Sequence, residues 1–570
     1  MTTHTSDLLA IESMHEAIWG DMAERTWMLA ILPDPPRWPG GSPHEVDAEL
    51  RRDLEWDLQR FAHHFFPDLC RSAFSSMHHD FFTRHDERRV PTGDPKLPYL
   101  PLRGWRDATA APRGSAKSTL KSKIEIVHNI VYRHERYIGI CSANWNLAED
   151  KVKEIRDILA DHIELRRVYG PMDTKVWRKA DFETANGVRV RAFTPRGKIR
   201  GFNWRGYRPT KLLLDDAEDP ESMLTELRRS RFAQWFNSDV SKLGNGETNF
   251  DIIGTILHPQ SLLSTLLQNP GFTPCFYQAV IRFAEGQEAW DLWKQWRDII
   301  VDLSNPHRMH DAKQFYLAHE AAMLHGTEVL WPEHQSYYNL MVERIVAGDS
   351  SFWQELMNEP LSDERYIFDM DQAAYCRVLP DGILRADGVK IPFHDIQDIC
   401  AFYDPTPPRK NAVGHDYACC VVLMKDMHGY IYCIDVYIDQ EISTDNQINA
   451  IVDLLWQWKV PIFGIESNGF QSLLGQNIRE AIAKRAQEEG TSWHVDIVPV
   501  VNTRNKMLRI RSLEPLVSNG WLQFGDKLPY EAYKQMSEFL PIDGASFDDY
   551  PDALEAGIRT IRGLLDRRDY

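Results

Sequence analysis

The sequence lacks the features that mark several special classes of protein. No run of about 18 apolar residues is free of charge, so no membrane-spanning helix is predicted. The first residues carry neither the basic segment nor the apolar segment of a secretory signal. The eight cysteines include no CxxC pair, which predicts buried thiols rather than zinc ligands or disulfides. We therefore expect a protein that stays in the cytosol and has no membrane partner.

A general excess of positive charge is also missing. The 83 Asp and Glu residues outnumber the 65 Lys and Arg residues, which leaves a net charge of −18 and argues against coating nucleic acid by bulk electrostatics. Basic residues are nevertheless concentrated in segments 195–214 and 502–511. These segments are either solvated surface or local tracks for DNA. Predicted DNA contacts are Arg196, Lys198, Arg200, Arg205, Arg504 and Lys506.

The order of apolar segments predicts an α/β protein of more than one domain. Its 570 residues exceed the length of about 150 that is usual for one domain. Over residues 60–345, short strands alternate with amphipathic helices, which is typical of a parallel-rich sheet. After residue 396 come three strands, a helix, a fourth strand and further helices, as in a ribonuclease H-like fold. The predicted parts are a helical segment (1–60), a first domain (61–360) with a lid at about 300–360, a linker (361–395) and a second domain (396–570).

A candidate phosphate-binding loop, APRGSAKS, occupies residues 111–118 between a predicted strand and a predicted helix. Small residues allow backbone N–H groups to close on phosphate oxygens, while Lys117 reaches the β- and γ-phosphates and Ser118 ligates Mg²⁺. Ala111 and Ala116 replace the two usual glycines, so an ordinary loop entering a helix is the alternative. The predicted nucleotide-binding residues are Ala111, Pro112, Arg113, Gly114, Ser115, Ala116, Lys117, Ser118, Thr119, Asp215, Gly254 and Thr255.

An acid-bearing strand farther along the chain supports an ATPase. Residues 212–216, LLLDD, form an apolar strand that ends in two carboxylates. In P-loop ATPases one carboxylate orders the Mg²⁺ shell and the next polarises the attacking water. Asp215 is therefore predicted to bind Mg²⁺, and Asp216 or Glu218 to act on the water. Together with the loop, this strand predicts a P-loop (ASCE-type) ATPase domain whose cofactor is ATP with Mg²⁺.

Further residues are predicted to complete the ATPase site. Gly254 and Thr255 end another predicted strand, where they could sense the γ-phosphate. Arg113 in the loop or Arg200 in the basic segment could stabilise charge on the transferring phosphoryl group. DNA binding is an equally good role for Arg200.

Acidic residues at predicted strand ends indicate a second site. In a ribonuclease H-like sheet, strands one and four are parallel neighbours, so Asp404 and Glu466 at their ends would face each other. Such a pair repels unless a metal bridges it, and a third acid would complete a cluster for two Mg²⁺ or Mn²⁺ ions. Asp548 and Asp549 are predicted for the third position, with Asp552 one helical turn on. This cluster predicts in-line hydrolysis of a phosphodiester, with Asp404, Glu466 and Asp549 as catalytic residues.

Other residues with metal-binding side chains are weaker candidates for a metal site. Asp416 competes with Asp404 for the position on the first strand. The pairs His63-His64 and His78-His79 have no partner at a metal-ligand spacing, and a structural role is predicted for them.

Taken in order, these motifs resemble the large terminase subunit of tailed bacteriophages, the motor that packages viral DNA. The resemblance runs from about residue 60 to residue 565. One departure is that the usual Asp-Glu ending of the acid-bearing strand is here Asp215-Asp216. The matching segments are PRGSAKST (112–119), GKIRGFNWRGYRPTKLLLDDAED (197–219), IIGT (252–255), FWQELMNEP (352–360), YDPTPP (403–408), GIESNG (464–469), RIRSLEPLVSNGWLQF (509–524) and DDYPDAL (548–554).

The resemblance implies an N-terminal packaging ATPase and a C-terminal ribonuclease H-like endonuclease that cuts concatemeric DNA when packaging starts and ends. It carries ATPase roles onto the loop and strand residues and metal-ligand roles onto the acid cluster. The residues concerned are Arg113, Lys117, Ser118, Asp215, Gly254 and Thr255 in the ATPase, and Asp404, Glu466, Asp548 and Asp549 in the nuclease.

The resemblance also implies partners and a location. The expected partners are double-stranded DNA, a portal protein and a small terminase subunit. A homo-oligomeric ring, expected to be a pentamer, would form on the procapsid, and a monomer is the alternative in solution. The expected location is the host cytoplasm, with transient docking on the procapsid and absence from the mature virion.

Three other classes of function compete with this interpretation. A helicase-nuclease would share both sites but would unwind a duplex. A recombinase or transposase-like protein would use the acid cluster to join strands. A portal-binding scaffold with decayed sites would show no metal-dependent turnover.

Overall fold

The computed structural model of the protein describes most of the chain with its side chains. The predicted residues Arg196, Lys198, Arg200, Asp416 and Arg504 lie outside the described residues, as does the segment 1–44. The described ranges are 45–195, 197, 199, 202–360, 366–405, 417–440, 443–466, 471–500 with only the backbone at 471–473, 505–540 and 547–563.

The N-terminal half alternates strands and helices, as its apolar pattern predicts. Its strands are β1 (Arg89–Asp94), β2 (Leu97–Pro101), β3 (Arg106–Ala110), β4 (Tyr137–Cys141), β5 (Asp181–Glu183), β6 (Arg189–Phe193), β7 (Lys211–Asp215), β8 (Asn249–Gly254), β9 (Thr273–Phe276), β10 (Val280–Arg282) and β11 (Glu328–Val329). Its helices are α1 (Glu45–Leu54), α2 (Leu58–Phe65), α3 (Ser76–Glu87), α4 (Glu125–Val131), α5 (Trp145–Asp161), α6 (Ile163–Tyr169), α7 (Pro220–Met223), α8 (Glu226–Ser238), α9 (Leu262–Leu267), α10 (Gln287–Val301), α11 (Arg308–Met323), α12 (Tyr337–Ala347) and α13 (Asp349–Glu355).

Among the described residues of this half, seven strands form one sheet in the order β5-β6-β4-β7-β8-β3-β9. All neighbouring strands are parallel except β5 and β6. Both faces of the sheet are covered, which explains why the central strands are continuously apolar. Leu213 packs in the core under α4 and α5, whereas Leu212 and Leu214 pack on the opposite face with α8 and α9. The predicted α/β class with a parallel-rich sheet is confirmed.

Two parts of this half differ from the predicted division of the chain. Leu54 and Leu58 are buried in the same core as the sheet, so residues 45–60 pack with the first domain rather than beside it. The helical cluster corresponding to the predicted lid includes Ala279 and Trp293, and therefore begins before residue 300. The reason is that β10 and β11 pair directly beneath α10 to α13 and share their apolar core.

The C-terminal half contains a second sheet. Its strands are β12 (Ala374–Leu379), β13 (Gly382–Leu384), β14 (Lys390–Pro392), β15 (Ile396–Asp404), β16 (Ala418–Asp426), β17 (Ile431–Asp439), β18 (Ile462–Glu466), β19 (Asp496–Val500) and β20 (Leu522–Gly525). Its helices are α14 (Thr444–Gln457), α15 (Gln471–Glu488), α16 (Lys506–Arg511), α17 (Glu514–Ser518), α18 (Tyr530–Ser537) and α19 (Asp549–Gly563).

The second sheet has the strand arrangement of a ribonuclease H-like fold. Among the described residues its order is β14-β13-β12-β20-β17-β16-β15-β18-β19. The strands β15, β16 and β17 form an antiparallel meander, and β18 joins β15 in parallel. Ser443 caps α14, because its side chain accepts a hydrogen bond from the Asn446 N–H at 3.4 Å. The predicted order of three strands, a helix and a fourth strand is confirmed.

The segment predicted as a linker is partly strand. Residues 374–392 form β12, β13 and β14 at the edge of the second sheet, where β12 pairs in parallel with β20. The linker prediction over 361–395 is therefore wrong for these residues. Their weak periodicity arises because β13 and β14 are three residues each, too short to show an alternating pattern.

Hydrogen bonds join the lid helices to the nuclease-like half. Trp521 Nε1 donates to the Val301 carbonyl at 2.8 Å, and the Leu303 N–H donates to the Tyr430 hydroxyl at 3.1 Å. Arg297 donates to the Ser518 carbonyl at 2.8 Å. The end of α10 is thus one of the places where the two halves are linked.

Buried ionic side chains lie on the face of the first sheet that α4 covers. Lys211 is fully buried, contacts the Glu125 carboxylate and lies 3.4 Å from Asp251. Lys121 Nζ lies 2.7 Å from Glu125 Oε2 and 2.9 Å from Asp251 Oδ2. Lys211 is the last basic residue of the segment 195–214. It is nevertheless a core residue, because it neutralises two buried carboxylates.

Replacing Lys211 tests how far the first sheet depends on this ionic network. Lys211→Met should destabilise the protein by about 3–5 kcal/mol, because Glu125 and Asp251 would keep one buried cation for two charges. Lys123→Met is the matched control, since Lys123 pairs with the half-exposed Glu154 and should cost at most about 1 kcal/mol. Urea unfolding followed by tryptophan fluorescence measures both. Equal losses in the two variants would contradict the prediction.

Candidate nucleotide and nuclease sites

The candidate phosphate loop connects β3 to the helical turn Thr119–Ile124, directly before α4. The Ala111 N–H donates to the Gly254 carbonyl at 3.0 Å, so the loop starts beside the end of β8. Gly114 and Ala116 both have positive φ, 74° and 56°. A left-handed conformation costs a non-glycine residue about 1–2 kcal/mol. The loop therefore keeps the left-handed backbone at position 116 although alanine replaces glycine there.

Lys117 is buried inside the loop. Its Nζ donates to Thr255 Oγ1 at 3.0 Å and to the Ala111 carbonyl at 3.2 Å. The carboxylate of Asp216 lies 3.9 Å from the same Nζ. The structure thus brings together the predicted lysine, the predicted γ-phosphate sensor and one candidate carboxylate.

Asp215 is fully buried at the end of β7 and is surrounded by donors. Ser118 Oγ donates to its Oδ1 at 2.8 Å, and Ser122 and Lys151 contact its Oδ2. A hydroxyl and a carboxylate in contact are the oxygen donors that Mg²⁺ prefers, so Ser118 and Asp215 fit the predicted ion. Lys151 supplies the positive charge that offsets Asp215, and no sequence pattern had indicated it.

Asp216 and Glu218, the two candidates for the catalytic carboxylate, occupy different places. Asp216 has a φ of 47° and a half-exposed side chain beside Lys117, and burial together with the charge of Asp215 raises its pKa. Glu218 instead accepts hydrogen bonds from the Leu262 N–H at 2.7 Å and the Leu263 N–H at 3.2 Å, at the start of α9. Burial raises the pKa of Glu218 to about 7. Asp216 is therefore at the loop, and Glu218 is engaged by a helix terminus.

The last residues of the lid contact the phosphate loop and the segment after β8. The Arg113 N–H donates to the Glu355 carbonyl at 2.9 Å, while the largely exposed Arg113 side chain lies 3.7 Å from the Glu355 carboxylate. Asn358 accepts from the Ile256 N–H at 3.0 Å and donates to the Tyr277 carbonyl at 2.8 Å. Both residues belong to the segment FWQELMNEP, which was singled out without a role for either.

The dihistidine pairs have ordinary packing partners. His78 lies behind the loop, where its Nε2 is 2.9 Å from the Ser115 carbonyl. His63 packs against Phe74, and His64 Nε2 is 3.5 Å from Glu164.

Arg205, a predicted DNA contact, is largely exposed and pairs with Glu183 at 3.0 Å.

The candidate nuclease site lies where β15 and β18 end. Tyr403 pairs with Ile465 in parallel register, so the next residues, Asp404 and Glu466, end neighbouring strands at the same edge. Burial, followed by the negative charges of Glu466 and Asp552, raises the pKa of Asp404 well above its usual value. Repelling carboxylates in partial burial are a donor set that fits Mg²⁺ or Mn²⁺.

The three candidates for the third acid have different surroundings. The Asp549 carboxylate accepts a hydrogen bond from the Tyr417 N–H at 3.0 Å, at the start of β16. The negative charge of Asp552, one helical turn farther along α19, contributes to the raised pKa of Asp404. We therefore carry Asp552 forward as the third acid, and the choice among Asp548, Asp549 and Asp552 stays a prediction.

Two basic residues of α16 neutralise these acids. Lys506 Nζ lies 2.6 Å from Asp548 Oδ1 and 3.6 Å from Asp552 Oδ2. Arg509 lies 2.7 Å from Asp552 and 2.8 Å from Glu555. Lys506 was predicted to contact DNA and Asp548 to bind metal, whereas here they pair with each other beside the acid cluster.

The comparison with known families bears on this half of the chain. Residues 412–522 match the family model described as Terminase Bacteriophage T7, Ribonuclease H-like domain. The predicted resemblance to terminases is confirmed. No curated protein sequence matches the chain.

Solved structures of terminases are similar to the chain at low identity. The large terminase of a thermophilic bacteriophage, in complex with ADP, is 9% identical with a TM-score of 0.40, covering 81% of this chain and 94% of that one. The Mn-soaked human cytomegalovirus terminase nuclease domain is 11% identical with a TM-score of 0.23, covering 30% of this chain and 86% of that one. None of the helices in the described residues has both the length and the apolar character needed to span a bilayer.

The raised pKa of Glu218 predicts a pH-dependent stability. Between its ordinary value of 4.5 and about 7, the folded protein holds a proton that the unfolded chain has lost, so stability falls as pH rises through this window. Glu218→Gln should remove that loss, because glutamine imitates the protonated acid. Thermal midpoints measured from pH 5 to pH 8 test this, with Glu221→Gln, a change at an exposed neighbour, as the control. The same pH dependence in wild type and Glu218→Gln would rule the prediction out.

Proposed function

We propose that the protein is the large subunit of a viral terminase, an ATP-driven motor for double-stranded DNA that also carries a metal-dependent endonuclease. The observation that carries the proposal is the pair of acids Asp404 and Glu466 at the ends of neighbouring strands of a ribonuclease H-like sheet, with Asp552 of α19 acting on Asp404. A phosphate loop with an acid-bearing strand in the same chain supports the motor.

In the ATPase, each loop residue has a chemical role that follows from its position. Loop N–H groups and Lys117 would bind the β- and γ-phosphates and offset their charge. Ser118 and Asp215 would hold Mg²⁺, which neutralises charge on the leaving phosphate oxygens. Asp216, next to Lys117 and half exposed, would orient and polarise the attacking water. Arg113 is exposed at the mouth of the loop, where it would reach the γ-phosphate.

The raised pKa of Asp216 suits this role. A carboxylate polarises water better when its pKa is closer to the working pH. Lys117 limits the rise by its positive charge, and that charge would be shared with phosphate once nucleotide binds. Glu218 accepts hydrogen bonds from the N–H groups of α9, so we assign it a positioning role for this helix, which follows β8.

In the nuclease, the acids would act together. Asp404, Glu466 and Asp552 would hold two Mg²⁺ or Mn²⁺ ions, which activate the attacking water and stabilise the leaving oxygen of the scissile phosphodiester. Lys506 lies beside Asp552, and we propose that its ammonium turns to the scissile phosphate when metal neutralises the acids. Arg509, which is buried between Asp552 and Glu555, would hold Asp552 in place.

We further propose the partners that such a motor needs. Arg196, Lys198, Arg200 and Arg205 of the segment 195–214 would contact DNA phosphates. Arg504 of the segment 502–511 would do the same. A ring of copies would dock on a portal protein at the procapsid in the host cytoplasm, with a small terminase subunit selecting the DNA. The net charge of −18 limits nonspecific retention of DNA, which suits a machine that must release it.

The ATPase assignment is tested by substitutions that separate Asp216 from Glu218. Asp216→Asn should lower DNA-stimulated ATP hydrolysis by roughly 10²-fold or more, because the amide cannot take up the proton. Lys117→Ala should abolish hydrolysis. Glu218→Gln is the matched control: it keeps an oxygen that accepts from α9, and should retain most of the activity. The assignment fails if Glu218→Gln loses hydrolysis while Asp216→Asn keeps it.

The nuclease assignment is tested by conversion of supercoiled plasmid to linear and smaller fragments in Mg²⁺ or Mn²⁺. Asp404→Asn and Asp552→Asn should lose cutting by roughly 10²-fold or more, because each removes a metal ligand. Asp549→Asn and Lys117→Ala should still cut, since neither changes the three acids. Cutting that survives in Asp552→Asn but is lost in Asp549→Asn would contradict the metal assignment. No cutting by any variant or by the wild type would contradict the nuclease.

A further inference from the structure

Three buried histidines meet on the side of the first domain that is opposite to its lid. His85 lies in the last turn of α3, His128 in α4 and His134 just before β4. Each exposes 6% of its surface or less. One nitrogen of each ring lies within 4.8 Å of a nitrogen of the other two. None of these residues belongs to the phosphate loop or the acid cluster.

The hydrogen bonds of these rings leave nitrogens available for a ligand. His85 Nδ1 is 3.0 Å from Asp86 Oδ1, and His128 Nε2 is 3.1 Å from the Leu54 carbonyl. Neither contact uses the other nitrogen of its ring. Within the described residues, the buried His128 Nδ1 has no hydrogen-bond partner.

His134 presents a further nitrogen to the cluster. Its Nε2 also makes no hydrogen bond within the part of the chain described. The nearest carboxylate oxygen is Glu55 Oε1 at 3.6 Å, beyond hydrogen-bonding distance. Trp56 stacks on the other side of the His134 ring, with centroids 4.4 Å apart, and keeps the ring in place.

We propose that His85, His128 and His134 form a binding site for a divalent transition metal ion, with Zn²⁺ as the best match. Imidazole nitrogens suit Zn²⁺ and do not suit Mg²⁺, which needs oxygen. Metal-bound histidines usually donate their other N–H to a carboxylate or a backbone carbonyl, as His85 and His128 are placed to do. Glu55 is the nearest candidate for a fourth ligand.

The geometry requires only side-chain movement. Zn–N bonds are about 2.0–2.1 Å, which places the nitrogens of a tetrahedral site about 3.4 Å apart. Since the nitrogens lie within 4.8 Å of one another, the rings would need to approach each other by at most about 1.4 Å. The ring centroids of His85 and His128 are already only 4.7 Å apart.

Such an ion would act on the structure of the ATPase domain. Its ligands come from α3, from α4 and from the turn before β4, with Glu55 and the Leu54 carbonyl at the end of α1. The helical turn Thr119–Ile124 connects the phosphate loop to α4. A metal here would therefore tie the N-terminal helices to the base of the loop, independently of whether the protein is a terminase.

The experiment measures metal binding by the full-length protein, with Asp404→Asn in every sample to weaken binding at the acid cluster. Proteins are loaded with Zn²⁺, freed of excess metal in Mg²⁺ buffer and analysed for zinc. Co²⁺ is used in parallel, because a tetrahedral nitrogen-rich site absorbs visible light far more strongly than an oxygen-ligated octahedral site. His128→Gln removes a ligand. His162→Gln is the matched control, because both nitrogens of His162 already contact backbone groups, at Phe65 and Leu165.

We expect about one equivalent of zinc and a strong Co²⁺ absorption in the parent and in His162→Gln, with both lost in His128→Gln. His85→Gln, a second ligand variant, should behave in the same way if His128→Gln fails to fold. Zinc should also raise the thermal midpoint of the parent but not of the ligand variants. Absence of stoichiometric zinc in the parent, or equal zinc in parent and folded ligand variants, would overturn the proposal and leave a metal-free histidine cluster.

Discussion

Carboxylates placed at the carboxyl ends of parallel strands are the constraint on which both candidate sites depend. Asp215 ends β7 and is fully buried, and Asp404 and Glu466 end two neighbouring strands of the other sheet. Partial loss of water makes each negative charge costly unless cations or donors offset it. Ser118, Ser122 and Lys151 do so for Asp215, and the same contacts leave that carboxylate directed at the phosphate loop.

The need to offset buried charge also explains where many basic residues lie. The basic segments suggest DNA-binding surface when they are considered as sequence alone. Lys211 is instead the buried partner of Glu125 and Asp251, and Arg509 is held by Asp552 and Glu555. Lys506 stands between the two cases, since it pairs with the acid cluster and keeps about a third of its side chain exposed. Because it lies at the edge of the cluster, Lys506 is the cation whose ammonium we propose to turn from a carboxylate to the scissile phosphate.

The two halves are connected in a way that allows one site to influence the other. The lid segment contacts the phosphate loop through Glu355, and its Asn358 accepts from the Ile256 N–H just after β8. The end of α10 in the lid bonds to the second half of the chain at Trp521 and Tyr430. A movement of the lid on nucleotide binding would thus affect both the phosphate loop and the nuclease-like domain. In the motor that we propose, this continuity would be the physical route by which ATP hydrolysis and cutting are coordinated.

The sequence by itself determined the elements whose cause is local. The apolar strand ending in Asp215, the phosphate loop entering a helix, the cap at Ser443 and the strand ends at Asp404 and Glu466 each follow from residues within a few positions of one another. The parallel pairing of β15 with β18 was also predictable, because the element order of a ribonuclease H-like fold carries it.

Tertiary structure decided which acid or base reaches each site. Glu218 lies two residues from Asp216, but packing of α9 places N–H groups against it, which no local pattern records. The charge of Asp552 acts on Asp404 because α19 packs on β15 and β16. His85 is more than 40 residues from His128 and His134 in sequence, so only tertiary packing brings its nitrogen to theirs.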